Sequence, residues 1–137
     1  MEVIMRITVT VLAGYFAFAL VAPVAEAANR FAMTCIENKT DITLNYRKKW
    51  GKNDSWDSHR LEPGKRISHT KELTSDGKAP DLYVTFDDDL SGRTKKRDYV
   101  LVSFASPQTT DCKNYGKEYH FRYDGTAKKF IDLVGIR

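Results

Sequence analysis

The chain reads as an all-β protein, a single antiparallel β-sandwich or small barrel of seven to eight strands with one disulfide. Three observations predict this. Apolar residues alternate with polar ones at a period of two, while helical periodicity is scarce. Turn pairs punctuate the alternating runs. Only two cysteines occur in the 137 residues, and both lie beyond an apolar leader.

The leader comes first in order. Met1 to Arg6 carries one cation, and Ile7 to Ala22 follows without a charge. Pro23-Val24 and the small-residue site Ala25-Glu26-Ala27 close the segment. Charged head, apolar middle and A-x-A exit describe a secretory signal peptide spanning 1–27, cleaved to leave a domain at 28–137. The apolar run is shorter than the roughly 20 residues of a spanning helix. No Cys stands directly after the cleavage site, so no lipid anchor is expected, and no later apolar stretch is long enough to span. The expected location is secreted or periplasmic.

The strands are justified one by one. Phe31, Met33 and Cys35 alternate with Ala32, Thr34 and Ile36, and Ile42, Leu44 and Tyr46 with Thr43, Asn45 and Arg47. Gly51-Lys52-Asn53-Asp54 then turns the chain between Trp50 and Trp56, and Pro63-Gly64 turns it again. Asp76-Gly77 precedes Leu82, Val84 and Phe86, which alternate with Tyr83 and Thr85. Tyr99 to Phe104 is a continuous apolar run and predicts a central strand. Tyr119, Phe121 and Tyr123 alternate with His120 and Arg122, and Asp124-Gly125 marks a hairpin tip before 128–134. No repeat or linker divides the chain.

Cys35 and Cys112 predict one structural disulfide in an oxidising compartment. It would close a loop of about 78 residues, worth roughly 4.5 kcal/mol by chain entropy, and would pin the long connection Ala105–Gly116 to the first strand. The order Cys35, Trp50, Cys112 resembles the Cys–Trp–Cys pattern of immunoglobulin domains. The family's Tyr two residues before the second Cys is Thr110 here. The resemblance implies a β-sandwich and carries over no functional residue.

Candidate chemistry is sparse. The domain at 28–137 has 21 basic and 16 acidic side chains, a net charge of +5. That suits solubility and also anionic glycans or headgroups. Export and the absence of a nucleic-acid fold signature argue against nucleic acid. Asp87-Asp88-Asp89-Leu90-Ser91-Gly92 offers oxygens at calcium-loop spacing, but Arg93, Lys95, Lys96 and Arg97 would repel a cation. A solvated hairpin is expected there instead. His59, His69 and His120 lack a metal-ligand spacing and read as surface residues, so no metal and no cofactor are expected. There is no nucleophile elbow, H-E-x-x-H or phosphate loop. Asp57, Glu62 and Glu118 are the carboxylates a small hydrolase would draw on. Asn38-Lys39-Thr40 and Asn53-Asp54-Ser55 fit the glycosylation acceptor pattern.

The aromatics suggest most. Trp50 and Trp56 flank a polar turn with Arg47, Lys48 and Lys49 beside them, a set suited to stacking on sugar rings with anionic substituents. The alternative is that both tryptophans cap the core. The functional expectation is an exported, non-catalytic binding or accessory domain, whose partner is an envelope or extracellular polysaccharide or a protein. The alternatives are an inhibitor or effector acting through Ala105–Gly116, and a small hydrolase.

Overall fold

The computed structural model describes residues 28–74, 77–92 and 97–136. The proposed signal segment 1–27 and the basic run 93–96 lie outside the described residues. Among the described residues nine strands and one helical turn are formed: β1 (Phe31–Asn38), β2 (Leu44–Trp50), β3 (Asp57–Leu61), β4 (Arg66–Glu72), β5 (Leu82–Phe86), β6 (Arg97–Leu101), β7 (Phe104–Ser106), α1 (Cys112–Tyr115), β8 (Lys117–Tyr123) and β9 (Ile131–Gly135). The all-β class and the disulfide are as expected, in two sheets. One sheet runs β4-β1-β8-β9, with β7 also on β1, and the other runs β3-β2-β5-β6.

Alternation builds the core between them. Tyr46, Trp50, Val84 and Phe86 point inward from the four-stranded sheet, meeting Ala32, Ile36, Phe121 and Leu133 of the other. Phe86 and Phe121 meet edge-on at 5.0 Å between ring centroids. β1 is buried on both faces. Its second face packs Met33 and Cys35 against Cys112 in a separate cluster, which explains why apolar residues occupy both parities of its first six positions apart from Thr34.

Two features depart from the expected plan. The run Tyr99–Phe104 is not one central strand. β6 is the edge of the four-stranded sheet, and β7 pairs with β1 in the other. Residues 102 and 103 carry the chain across. The Tyr119 hydroxyl accepts from Val102 N–H at 2.9 Å, and the Ser103 hydroxyl donates to Pro80 O at 2.7 Å. The second departure is that pairing is not wholly antiparallel. β7 lies antiparallel on residues 31–33 of β1, whereas β8 lies parallel on residues 34–38. The connection between them holds α1, whose turn reverses the strand direction.

That connection is tied down as expected. Cys35 and Cys112 are bonded, with Cα atoms 5.8 Å apart. The bridge lies on the outer face of the five-stranded sheet and does not join the two sheets, unlike the B–F bridge of immunoglobulin domains. Gly116 follows α1 because space demands it. A Cβ there would sit 2.5 Å from Cys35 Sγ.

The tight turn at Pro63-Gly64 carries the chain from β3 in one sheet to β4 in the other, with Gly64 at φ 71°. The backbone of the wholly buried Asn38 locks the turn, accepting from Gly64 N–H at 2.8 Å and donating to Lys65 O at 2.9 Å. Asn38 Nδ2 donates to Ile42 O at 2.7 Å and Leu61 O at 3.0 Å, and Oδ1 accepts from Thr40 N–H at 2.9 Å. A glycan has no room on this side chain, so Asn38-Lys39-Thr40 is a structural turn. Asn53, by contrast, is exposed.

Candidate functional site

The surface expectation fails for His69. It lies on the inner face of β4, 4% exposed, because its cross-strand partner Thr34 also points inward. Its Nε2 shares a hydrogen bond of 2.8 Å with the Tyr46 hydroxyl. His59, half-buried on β3, meets His69 edge-on at 4.7 Å and stacks on Tyr46 at 5.5 Å. Burial, then His59 and Lys48, push the His69 imidazole down to about 3. Burial also raises the Tyr46 phenol. These groups are therefore neutral at ordinary pH and act as a polar seam between the sheets. His120 alone lies on an outer face, partly covered, 3.5 Å from Glu37.

The five residues singled out from the sequence divide by parity along β2. Trp50 turns inward and joins the core at 6% exposure. Lys48 shares its parity with Tyr46 and Trp50, and its ammonium pairs with Asp57 at 2.9 Å. Arg47 and Lys49 turn outward, and Trp56 joins them from the segment before β3. The Trp56 ring has Lys49 Nζ 4.8 Å and Arg47 Cζ 5.4 Å from its centroid. Lys49 Nζ also lies 5.5 Å from the Tyr83 ring and donates to Lys52 O at 2.8 Å.

Tyr83 and Arg60 were not singled out from sequence, and both belong to this outward face. Register places Lys49 beside Tyr83, Arg47 between Ser58 and Thr85, and Asn45 beside Arg60. The face therefore has an aromatic row of Trp56, Lys49 and Tyr83, followed by basic and hydroxyl rows. Successive rows lie roughly 6.7 Å apart, two strand residues. A groove of about 480 Å³ opens along the basic rows and is lined by Arg47, Ser58, Arg60, Thr85 and Asn45, among others. A second depression of about 390 Å³ lies at the aromatic end, between Lys52, Lys78, Pro80 and Tyr83.

The other candidates are dispersed. Asp57 is held by Lys48, Glu62 follows β3, and Glu118 belongs to the opposite sheet beside Arg66. Carboxyl oxygens of Asp87, Asp88 and Asp89 approach within 4.8 Å of one another. Turn bonds already engage two of these residues. Asp87 Oδ2 accepts from Gly92 N–H at 2.6 Å, and Asp89 Oδ1 accepts from the Ser91 hydroxyl at 2.6 Å.

Comparison with protein families, curated proteins and solved structures finds no match to this chain. The face must be read from its own chemistry. No helix among the described residues is long and apolar enough to cross a membrane.

Proposed function

We propose that this protein is an exported, non-catalytic binding domain that recognises an envelope or extracellular polysaccharide. The observation that carries the reading is the gathering of Trp56, Tyr83, Lys49 and Arg47 on one outward sheet face. Flat aromatic surface stacks on the apolar faces of sugar rings, and the surrounding donors bond to hydroxyl and acid groups. A cation resting on an exposed ring contributes only about 0.5–1 kcal/mol, so a sugar can displace it. The signal-like leader and the Cys35–Cys112 bridge support export to an oxidising compartment.

A second reading, an inhibitor or effector acting through the connection 105–116, has its own support. That segment is pre-organised by the disulfide and by Ser68, whose hydroxyl donates to Thr109 O at 2.9 Å. Tyr115 is exposed at its end. Rigid loops lose less entropy on binding.

Co-sedimentation of residues 28–137 with insoluble cell-wall polysaccharide at low and high salt tests the first reading. Retention should survive high salt and be lost in Trp56→Ala. Retention that vanishes with salt would reduce the interaction to net charge. No retention at either salt would sink the glycan reading and move the search to replacement of the 105–116 segment.

A further inference from the structure

We propose that the groove lined by Arg47, Arg60, Asn45, Ser58 and Thr85 is an anion subsite for the acid group of an acidic sugar. The inference rests on the glycan reading above and names the class of glycan. The aromatic row would hold one part of the chain while the groove holds a charged substituent further along.

The chemistry of the groove is one-sided. Asn45, Arg47, Ser58 and Arg60 are exposed, and each offers hydrogen-bond donors to the groove. Arg47 and Arg60 are diagonal neighbours across β2 and β3, since Arg47 pairs with Ser58 and Arg60 lies two residues on. Diagonal positions lie about 7–8 Å apart, so two guanidinium forks can close on one carboxylate or sulfate. Arg47 Cζ rests 5.4 Å from the centroid of the Trp56 ring, so an anion held by both forks draws Arg47 off that ring and offsets the repulsion of the two like charges.

Carboxylates do not already fill this role. Asp87 is the one acid among the lining residues. Its Oδ2 is taken by the Gly92 N–H, and its Oδ1 is enclosed. Among the described residues neither Arg47 nor Arg60 has an ion pair within 4.0 Å. The outer face of the five-stranded sheet shows the contrast. There Arg66 lies 2.9 Å from Glu37 and 3.6 Å from Glu118, and Lys39 also pairs with Glu37. On that face Glu37 gathers two cations, whereas in the groove no carboxylate pairs with Arg47 or Arg60 among the described residues. The groove volume, about 480 Å³, falls within the range of small-ligand sites.

The test is isothermal titration of residues 28–137 with three hexasaccharides: a galacturonan, a sulfated galactan and a neutral galactan. An acidic hexamer should bind about tenfold more tightly than the neutral one, and Arg60→Gln or Arg47→Gln should each remove most of that difference. Arg122→Gln, an equal charge change on the outer face of the other sheet, should leave it intact. The tighter of the two acidic hexamers identifies the acid group as carboxylate or sulfate. Equal binding of acidic and neutral hexamers, or equal weakening by Arg122→Gln and Arg60→Gln, would overturn the subsite. If the neutral hexamer binds and only Trp56→Ala abolishes binding, the subsite falls and the glycan face stands. If none of the hexamers binds, both fall.

Discussion

Acidification should destabilise this protein well above the range where carboxylates titrate, and His69 is the reason. Its imidazole is held down to about 3 in the fold, against an ordinary 6.5. The unfolded chain therefore binds a proton between pH 6.5 and 3 that the folded chain refuses. Stability is complete above 6.5, falls as the pH drops below it, and stops falling through this group near 3. One pH unit is worth about 1.36 kcal/mol. At pH 5 the loss from His69 alone is about 2 kcal/mol, roughly 10 °C in Tm for a domain of this size. His59 adds to it in the same window, because burial and Lys48 also lower its imidazole. The assay is urea unfolding at pH 7 and pH 5, in the natural protein and in His69→Gln. Glutamine can keep a hydrogen bond to the Tyr46 hydroxyl but does not titrate. The variant should lose about 2 kcal/mol less than the natural protein on going to pH 5. Identical losses in both proteins, or a His69 resonance that titrates near 6.5, would refute the burial argument.

Two further outcomes follow from packing. Gly116→Ala should lower stability by about 1–3 kcal/mol in denaturant unfolding, because its Cβ would meet Cys35 Sγ at 2.5 Å. In a Cys35→Ala/Cys112→Ala background most of that loss should disappear, and a loss that persists would place the cause elsewhere. Asn38→Ala should lower stability by about 3 kcal/mol, because it removes the Asn38 partners of the Leu61 carbonyl and the Thr40 N–H and leaves the Ile42 carbonyl only the longer bond from the Thr40 hydroxyl at 3.2 Å. A change below about 1 kcal/mol would mean that water replaces these bonds.

Period-two alternation made the sheet interior legible. It placed Leu82, Val84 and Phe86 on one face and Tyr83 on the other, as found. It was also enough to separate Trp50 from Arg47 and Lys49. Trp50 shares the parity of the inward Tyr46, and Arg47 and Lys49 have the opposite one, so closeness in sequence was the wrong criterion for grouping them. His69 was not legible. β4 reads Arg-Ile-Ser-His-Thr-Lys-Glu, too polar to announce a buried face, and its burial depends on β4 crossing to the opposite sheet. Tyr83 and Arg60 entered the face through register, which pairs them with Lys49 and Asn45 across sequence gaps that local pattern does not bridge. The parallel pairing of β8 on β1 depends on the reversal around α1, a four-residue element with no periodic signal.

The two sides of β2 carry different burdens, and this separation makes the candidate face testable. Tyr46 and Trp50 pack inward, and Lys48, of the same parity, closes the edge by pairing with Asp57. Substitutions there would change folding and binding together. Arg47, Arg60 and Trp56 lie on the opposite side, exposed or half-exposed, and none belongs to the buried core. Surface replacements at such positions usually shift stability by no more than about 0.5 kcal/mol. A loss of glycan retention in Trp56→Ala or Arg60→Gln therefore reports on the face itself, once the unfolding midpoint is shown to be unchanged. The pH dependence adds an independent control. His69 and His59 act from inside the sandwich, so acidification to pH 5 lowers stability without removing charge from Arg47 or Arg60. Binding to an acidic glycan that persists at pH 5, while the unfolding midpoint falls, would separate the roles of the two faces in one protein.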